Sequence, residues 1–414
     1  MTERLFLDNA YLFKCSAKVR ILNIREDGKL ELILNRTIFH PKGSGQINDI
    51  GYIRSASFEG KVIDVVEEGE DIVHVVEILR GEAKENDTVE CEIDRNRRYA
   101  IMRAHTGEHI LARAFKKIIP NSEIKGVYLE EDRGYIIVSG ISKAEIWNQI
   151  SRAEEIANKV ISEGRKVTVK YYDSLSEAMK HYGNSLRCRL EEFEGISRVR
   201  IVEIDKYDYT ACSGTHVSNT IEVRFVKITG YEKYDKTSYK LRFSTGEIAL
   251  KSAIRLSNLL LELSRELSTS ENLVKETVNN LVLKIKDLTK HLKRLSASYV
   301  RALIKIQRIV HKDLKMNEIE IEYSDLGDLI KILKDEQIFD DKLLWIFSIR
   351  NPKSAIIISG RSIEDLNFKS LLRTLQENIK DVGGVKRKEF ILLNFKDPNQ
   401  MSKAILLIKK ELEK

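Results

Sequence analysis

The sequence predicts an α+β fold in four parts, and three observations carry that prediction. Residues 1–93 alternate polar and apolar positions in short runs. Beyond Gly246, apolar residues recur every three or four positions. Residues 316–414 alternate strand-like and helix-like segments.

The elements follow in order. In 1–93, "KLELILNRTIF" and "IVHVVEI" have strand character, "EDGK" supplies a turn and "HPKGSGQINDIG" (40–51) a glycine-marked loop. A β-rich small barrel is expected. The pattern turns helical from about Asp94 to Ala114. "SKAEIWNQISRAEEIANKVISEG" (142–164) is an amphipathic helix ending at Gly164, and "KVTVKYYD" a strand. "SLSEAMKHYG" is a helix with Ser174 as N-cap and Glu177 completing a capping box. "VRIVEID" and "IEVRFVKITGYE" are strands flanking "YTACSGTHVSNT", so 94–246 reads as an α+β domain. In 247–315, Leu260, Leu263, Leu267, Val274, Val278, Leu281, Ile285, Leu288, Leu292, Leu295 and Tyr299 form a heptad-like seam. A break at "STSE" (268–271), with Ser268 and Glu271 as a second capping box, makes two helices. They form an intramolecular hairpin or a coiled coil in a homodimer. The last part, 316–414, reads as an α/β domain, with strands "EIEIEYS", "LLWIFSI", "SAIIISG" and "EFILLNF" and helices near 326–335, 365–380 and 398–413.

Of the 414 residues, 42% are apolar, enough for real cores, and 32% are charged. The net charge of +7 is compatible with a nucleic-acid partner. The four cysteines (Cys15, Cys91, Cys188 and Cys212) form no disulfide framework. No apolar run has membrane length, and the N-terminus lacks a signal-peptide pattern. A cytoplasmic protein is expected. No P-loop or dinucleotide fingerprint occurs.

"MRAHTGEHIL" (102–111) places His105 and His109 on one helix face, and "ACSGTHV" (211–217) places Cys212 four residues before His216. Imidazole and thiolate are ligands that borderline-soft Zn²⁺ prefers. Three of the eight histidines and one of the four cysteines are used, which points to one Zn²⁺ per chain. Gly214 lets the second loop turn tightly. The pattern is not H-E-x-x-H, because Thr106 stands where that motif needs its base. Glu108 reads as a solvated helix residue. Four protein ligands would make a closed structural site, and three plus water an open catalytic one.

With "RTIFHPKGSGQINDIGYI" (36–53), "RRYAIMRAHTGEHIL" (97–111) and "TACSGTHVSNT" (210–220) in this order, the chain resembles the AlaX group, free-standing homologues of the editing domain of alanyl-tRNA synthetase. The helical segment and "VGGVKRKEFILLNF" (382–395) are similar to the C-terminal region of that synthetase, which suggests the long subtype. The resemblance makes 94–246 a zinc-containing editing domain. It implies a metal-dependent deacylase that removes serine, or glycine in some members, from tRNA(Ala). Carried over by motif position, His105, His109, Cys212 and His216 are the zinc ligands. Thr37 and Gln46 lie near the amino acid, Gly43 and Gly45 shape the pocket loop, and Asp49 holds the turn. Two residues depart from the family pattern: Ser213 replaces the first of two glycines before "TH", and Ser44 replaces a glycine of the glycine-rich segment. A serine needing positive φ would be strained there.

Candidate phosphate contacts are Arg97, Arg98 and Arg103 beside the histidine pair, and Lys386, Arg387 and Lys388 after the C-terminal glycines. The C-terminal domain is expected to recognise tRNA or to dimerise. Two alternatives stay open: an editing deacylase for another mischarged tRNA, and a non-catalytic, zinc-stabilised tRNA-binding protein.

Overall fold

The computed structural model describes residues 1–188, 198–310, 316–323, 325–351, 353–360, 363 and 366–412. They form two compact units, Met1–Glu262 and Leu263–Lys414.

The first unit opens with a closed six-stranded barrel. Its strands are β1 (Lys14–Ile24), β2 (Leu30–Leu34), β3 (Gly51–Arg54), β4 (Phe58–Glu68), β5 (Asp71–Gly81) and β6 (Thr88–Ile93). They pair in the order β1-β2-β5-β4-β3-β6, and β6 returns to β1. Alternate residues point inward, which puts Leu32, Leu34, Ile53, Phe58, Val62, Val76 and Val89 into one buried cluster. Register shifts at Glu59/Gly60 and Val62/Asp64 bend β4, and bulges of this kind let a short sheet curl closed.

The chain leaves β6 directly into helix α1 (Arg95–Ile118), whose N-cap Asp94 accepts a hydrogen bond from the Arg97 amide. An antiparallel sheet follows: β7 (Ile124–Glu130) and β8 (Arg133–Ser139) join the later β13 (Val226–Lys233) and β14 (Ser238–Thr245) in the order β13-β14-β8-β7. Helix α1 and helix α2 (Ile146–Ser162) share the core beneath it, where Met102, Leu111 and Phe115 meet Ile150, Leu129, Ile136 and Phe243. A second small sheet holds β9 (Val167–Tyr172), β10 (Leu186–Arg187), β11 (Val199–Ile204) and β12 (Asp208–Ala211), in the order β9-β11-β12-β10. Helix α3 (Leu175–Tyr182) lies between β9 and β10, and Ser174 caps it through the Glu177 amide as expected. Strand β12 ends one residue before Cys212.

Helix α4 (Gly246–Glu266) begins in the first unit, and its last four residues belong to the second. The expected capping box at Ser268 is absent. Ser268 takes φ +51° and ends α4, with the Thr269 amide reaching back to the Ser264 carbonyl in a Schellman-type bond. In the second unit, helix α5 (Val274–Val310) carries the seam, and Val278, Leu281, Ile285, Leu288, Leu292 and Leu295 are exposed along it. A five-stranded sheet follows, with β15 (Met316–Tyr323), β16 (Leu344–Asn351), β17 (Ala355–Ser359), β18 (Val382–Lys386) and β19 (Phe390–Phe395) in the order β15-β16-β17-β19-β18. Helices α6 (Leu326–Asp335), α7 (Phe368–Asn378) and α8 (Met401–Leu412) complete the unit. Leu344 and Ile346 face the core shared with α7 and α8. Trp345, Phe347 and Ile349 face the core shared with α6 and with Val300 and Ile304 of α5. A sheet covered on both faces reads as a continuous apolar run, which is why "LLWIFSI" shows no alternation. No helix among the described residues is long and apolar enough to cross a membrane.

Candidate metal centre

The site forms where α1 meets the loop leaving β12. Within α1, residues 104–112 are buried all round, which brings His105 and His109 into the interior one turn apart. The opposing loop carries Cys212 and His216. Its backbone is pinned by Arg200, whose Nη1 donates to the carbonyls of Cys212 (2.6 Å) and Gly214 (3.0 Å). Gly214 is required by proximity, because a Cβ there would lie 2.2 Å from His105 Cε1.

One donor atom from each of His105, His109, Cys212 and His216 lies within 4.8 Å of the others, and all four residues are buried. Cys212 Sγ is 3.4 Å from His105 Nε2 and 3.5 Å from His216 Nε2. A tetrahedral ion with Zn–N near 2.0 Å and Zn–S near 2.3 Å would place sulfur and nitrogen about 3.5 Å apart. The set therefore fits zinc in both spacing and donor chemistry. Burial opposes charge on the Cys212 thiol, but the surrounding imidazoles draw it well below the ordinary thiol range, toward the thiolate that coordinates metals.

The outer ring nitrogens are held as well. His105 Nδ1 is 3.0 Å from Gln46 Oε1, which also accepts from the Thr215 amide at 3.1 Å. His216 Nδ1 is 3.2 Å from Thr106 Oγ1, which also accepts from the Val217 amide. His109 Nδ1 lies 3.4 Å from Asp208 Oδ2, close enough for an ion pair but not aligned as a hydrogen bond. The contacts of His105 and His216 leave their Nε2 lone pairs for the centre, as ligating histidines require.

A buried ion network adjoins His109. Glu108 is 1% exposed, which corrects its reading as a solvated helix residue. Arg187 grips it at 2.9 and 3.1 Å. Burial resists charge on Glu108, yet the guanidinium and the neighbouring histidines hold its carboxyl below the usual range. Asp208 is depressed more strongly: His109, Arg187 and Arg113 overcome its burial. Glu108, Arg187 and Asp208 carried no signal in the sequence, because their meeting depends on β10 and β12 lying beside α1.

His105, His109 and Cys212 line a cleft of about 1450 Å³, together with Ser44, Gly45, Glu108, Arg187 and Ser213. Gln46 is buried against His105. Gly45, at φ +77°, presses its loop against Val127, which a Cβ would approach to 3.1 Å, whereas a Cβ on Gly43 would meet nothing within 4 Å. Ser44 takes φ +51°, the left-handed conformation in which a serine is strained.

Thr37 is not among the residues that line the cleft. It is fully buried, with its hydroxyl 2.7 Å from His74 Nε2 and accepting from the Phe39 amide. Both contacts tie the hydroxyl to neighbouring protein groups. Arg98 is corrected as a phosphate contact: it is fully buried, paired with Asp49 and donating to the carbonyls of Ala10 and Ile38. Asp49 also accepts from the His40 amide at 2.6 Å. Arg97 bonds the Asn48 carbonyl and pairs with Glu131, and Arg103 pairs with Asp132. In the second unit Lys386, Arg387 and Lys388 are exposed, and Lys386 Nζ reaches the Leu366 carbonyl at 2.9 Å.

Residues 11–97 match the family described as class II (A) tRNA synthetases. Residues 199–242, which hold Cys212 and His216, match the second additional domain of threonyl and alanyl tRNA synthetases. The alanyl-tRNA editing protein AlaX-L of Pyrococcus horikoshii is 33% identical over 301 residues, covering 70% of this chain and 72% of that one. The alanine–tRNA ligase of Ignicoccus hospitalis is 30% identical over 328 residues, 77% of this chain and 35% of the ligase. That of Aeropyrum pernix is 28% identical over 390 residues, 92% of this chain and 42% of the ligase. The chain thus spans less than half of either ligase, but most of the editing protein. It belongs to the family of the alanyl-tRNA editing protein AlaX-L.

Proposed function

We propose that this protein is a trans-editing hydrolase that deacylates tRNA(Ala) mischarged with serine, and with glycine as a second substrate, by zinc-dependent ester hydrolysis. The observation that carries the reading is the buried set of three imidazoles and one thiol, with donor atoms within 4.8 Å of one another, at the wall of an open cleft. Four protein ligands fill a tetrahedral ion, so catalysis would need a fifth position or the displacement of one ligand. The cleft reaches His105, His109 and Cys212, where water or substrate could enter, and that access supports catalysis over a purely structural ion.

His105, His109, Cys212 and His216 would hold the ion. A bound zinc would polarise the ester carbonyl or ease ionisation of the attacking water. Gln46 and Thr106 fix the rings of His105 and His216, so that both offer Nε2 without reorganisation. Arg200 fixes the loop between Cys212 and Gly214. Glu108 and Arg187 place a fixed carboxylate–guanidinium pair in the cleft wall, 3.8 Å from His109 Nε2. Such preorganised charge stabilises a developing oxyanion or a substrate ammonium better than water does.

For the RNA, exposed Lys386, Arg387 and Lys388 supply positive charge to backbone phosphates, while Arg97 and Arg103, already paired internally, contribute less. The exposed apolar seam on α5, at heptad-like spacing, supports pairing with a second copy. The test is hydrolysis of Ser-tRNA(Ala) against Ala-tRNA(Ala), with and without chelator. Faster release of serine, lost on chelation and restored by zinc, is expected. Equal rates, or indifference to chelation, would refute the proposal.

A further inference from the structure

Two hydroxyls at the mouth of the cleft take no part in holding an ion or in orienting its ligands. Ser44 sits on the loop between β2 and β3, and Ser213 immediately follows the ligand Cys212. Their Oγ atoms lie 2.5 Å apart although the residues are 169 positions apart in the chain. Both are exposed, and both line the cleft beside His105, His109 and Cys212.

Neither hydroxyl is placed by accident of a loose loop. Ser44 holds φ +51°, at a cost on the order of 1 kcal/mol that a glycine would not incur. Gly45 beside it is pressed against Val127. Ser213 is bracketed by the two carbonyls that Arg200 grips, and its own carbonyl faces His40 Nε2 at 3.3 Å. Two serine hydroxyls have two protons between them. One proton is used in their mutual bond, which leaves one donor and several lone pairs for a third hydroxyl.

We propose that Ser44 and Ser213 form a hydroxyl-reading pair that sets the preference for an acyl group bearing a side-chain hydroxyl over glycyl and alanyl groups. The inference rests on the editing function proposed above. A seryl group completes the hydrogen bonding of the pair, and an alanyl methyl group displaces water from it without replacing the bonds. Polar sites reject analogues lacking the matching group more strongly than apolar pockets reject added bulk.

The test uses the full-length, zinc-loaded chain with Ser44→Gly, which suits the positive φ, Ser213→Ala, and the double variant. Two quantities are read. The first is kcat/KM on Ser-, Gly- and Ala-tRNA(Ala). The second is affinity for the non-hydrolysable 3′-seryl and 3′-glycyl amides of 3′-amino-3′-deoxyadenosine. Zinc content should match the wild type. The ratio of serine to glycine should fall at least about tenfold in the double variant, in both rate and affinity. A fall shared equally by all three substrates would mean that the pair is only a latch between two loops and would overturn the inference, as would an unchanged ratio. If the zinc-loaded wild type hydrolyses none of the three, the editing function fails and this inference with it. If the wild type releases serine and only the variant ratio stays fixed, this inference alone fails.

Discussion

The first unit buries two kinds of histidine. His74, inside the barrel, donates from Nδ1 to the Leu32 carbonyl at 2.9 Å and accepts at Nε2 from the Thr37 hydroxyl at 2.7 Å. Both nitrogens are satisfied by the protein, so no ligand is called for. The histidines at the α1–β12 junction are anchored on one side only. Their Nδ1 atoms meet Gln46, Asp208 and Thr106, while their Nε2 atoms converge on a thiol. Burial alone does not mark a metal site. Outer nitrogens tied down with inner lone pairs facing one another do, because a buried polar atom without a partner is costly and an ion repays that cost for all four at once.

Substitutions separate the two kinds of histidine. The largest effect is expected from Cys212→Ala and His105→Ala, which should take zinc well below one per chain and deacylation to background. Elemental analysis alongside the Ser-tRNA(Ala) assay checks this. Gln46→Ala should come next. It keeps every ligand but frees His105, so zinc affinity should fall about 10- to 100-fold, as for other groups that orient a ligand. Chelator competition measures it, and unchanged affinity would show that Gln46 does not act through the ring.

Thr37→Val should behave in the opposite way. It leaves the Phe39 amide and His74 Nε2 without a partner, at about 1–3 kcal/mol of stability, while zinc content stays at the wild-type level. Denaturant melts and metal analysis of the same sample separate the two effects. An effect of similar size is expected in pH. Burial pushes His74 down to about 4, whereas the unfolded chain takes up that proton near 6.5. Stability is therefore fully present above 6.5, falls as pH drops toward 4, and levels off below, a loss of about 3 kcal/mol. His74→Phe should flatten that part of the stability–pH curve relative to wild type. An unchanged slope would mean that His74 is not held neutral.

The His/Cys cluster was legible because each pair is local: four residues apart, on a helix in one case and a turning loop in the other. The barrel was legible from alternation, and the C-terminal sheet from apolar runs between helical segments. The second layer was not. Gln46 bonds His105 across 59 positions and Arg187 reaches Glu108 across 79, distances at which no residue pattern announces a contact. Arg98 read as a free cation because the Asp49 that neutralises it lies 49 residues away. Thr37 drew attention through a motif, yet its partner His74 comes from the opposing strand β5. Strand β18 was missed because "VGGVK" reads as a loop, although a Cβ on Gly384 would meet the Leu392 carbonyl at 2.8 Å.

On the reading proposed here, three imidazoles and one thiolate from two distant segments share one ion. X-ray absorption at the zinc edge of the loaded, full-length protein tests it most directly. The account predicts nitrogen scatterers near 2.0 Å with the outer-shell signature of three imidazoles, and one sulfur near 2.3 Å that disappears in Cys212→Ser. A shell of oxygens alone, or a sulfur signal that survives Cys212→Ser, would contradict it.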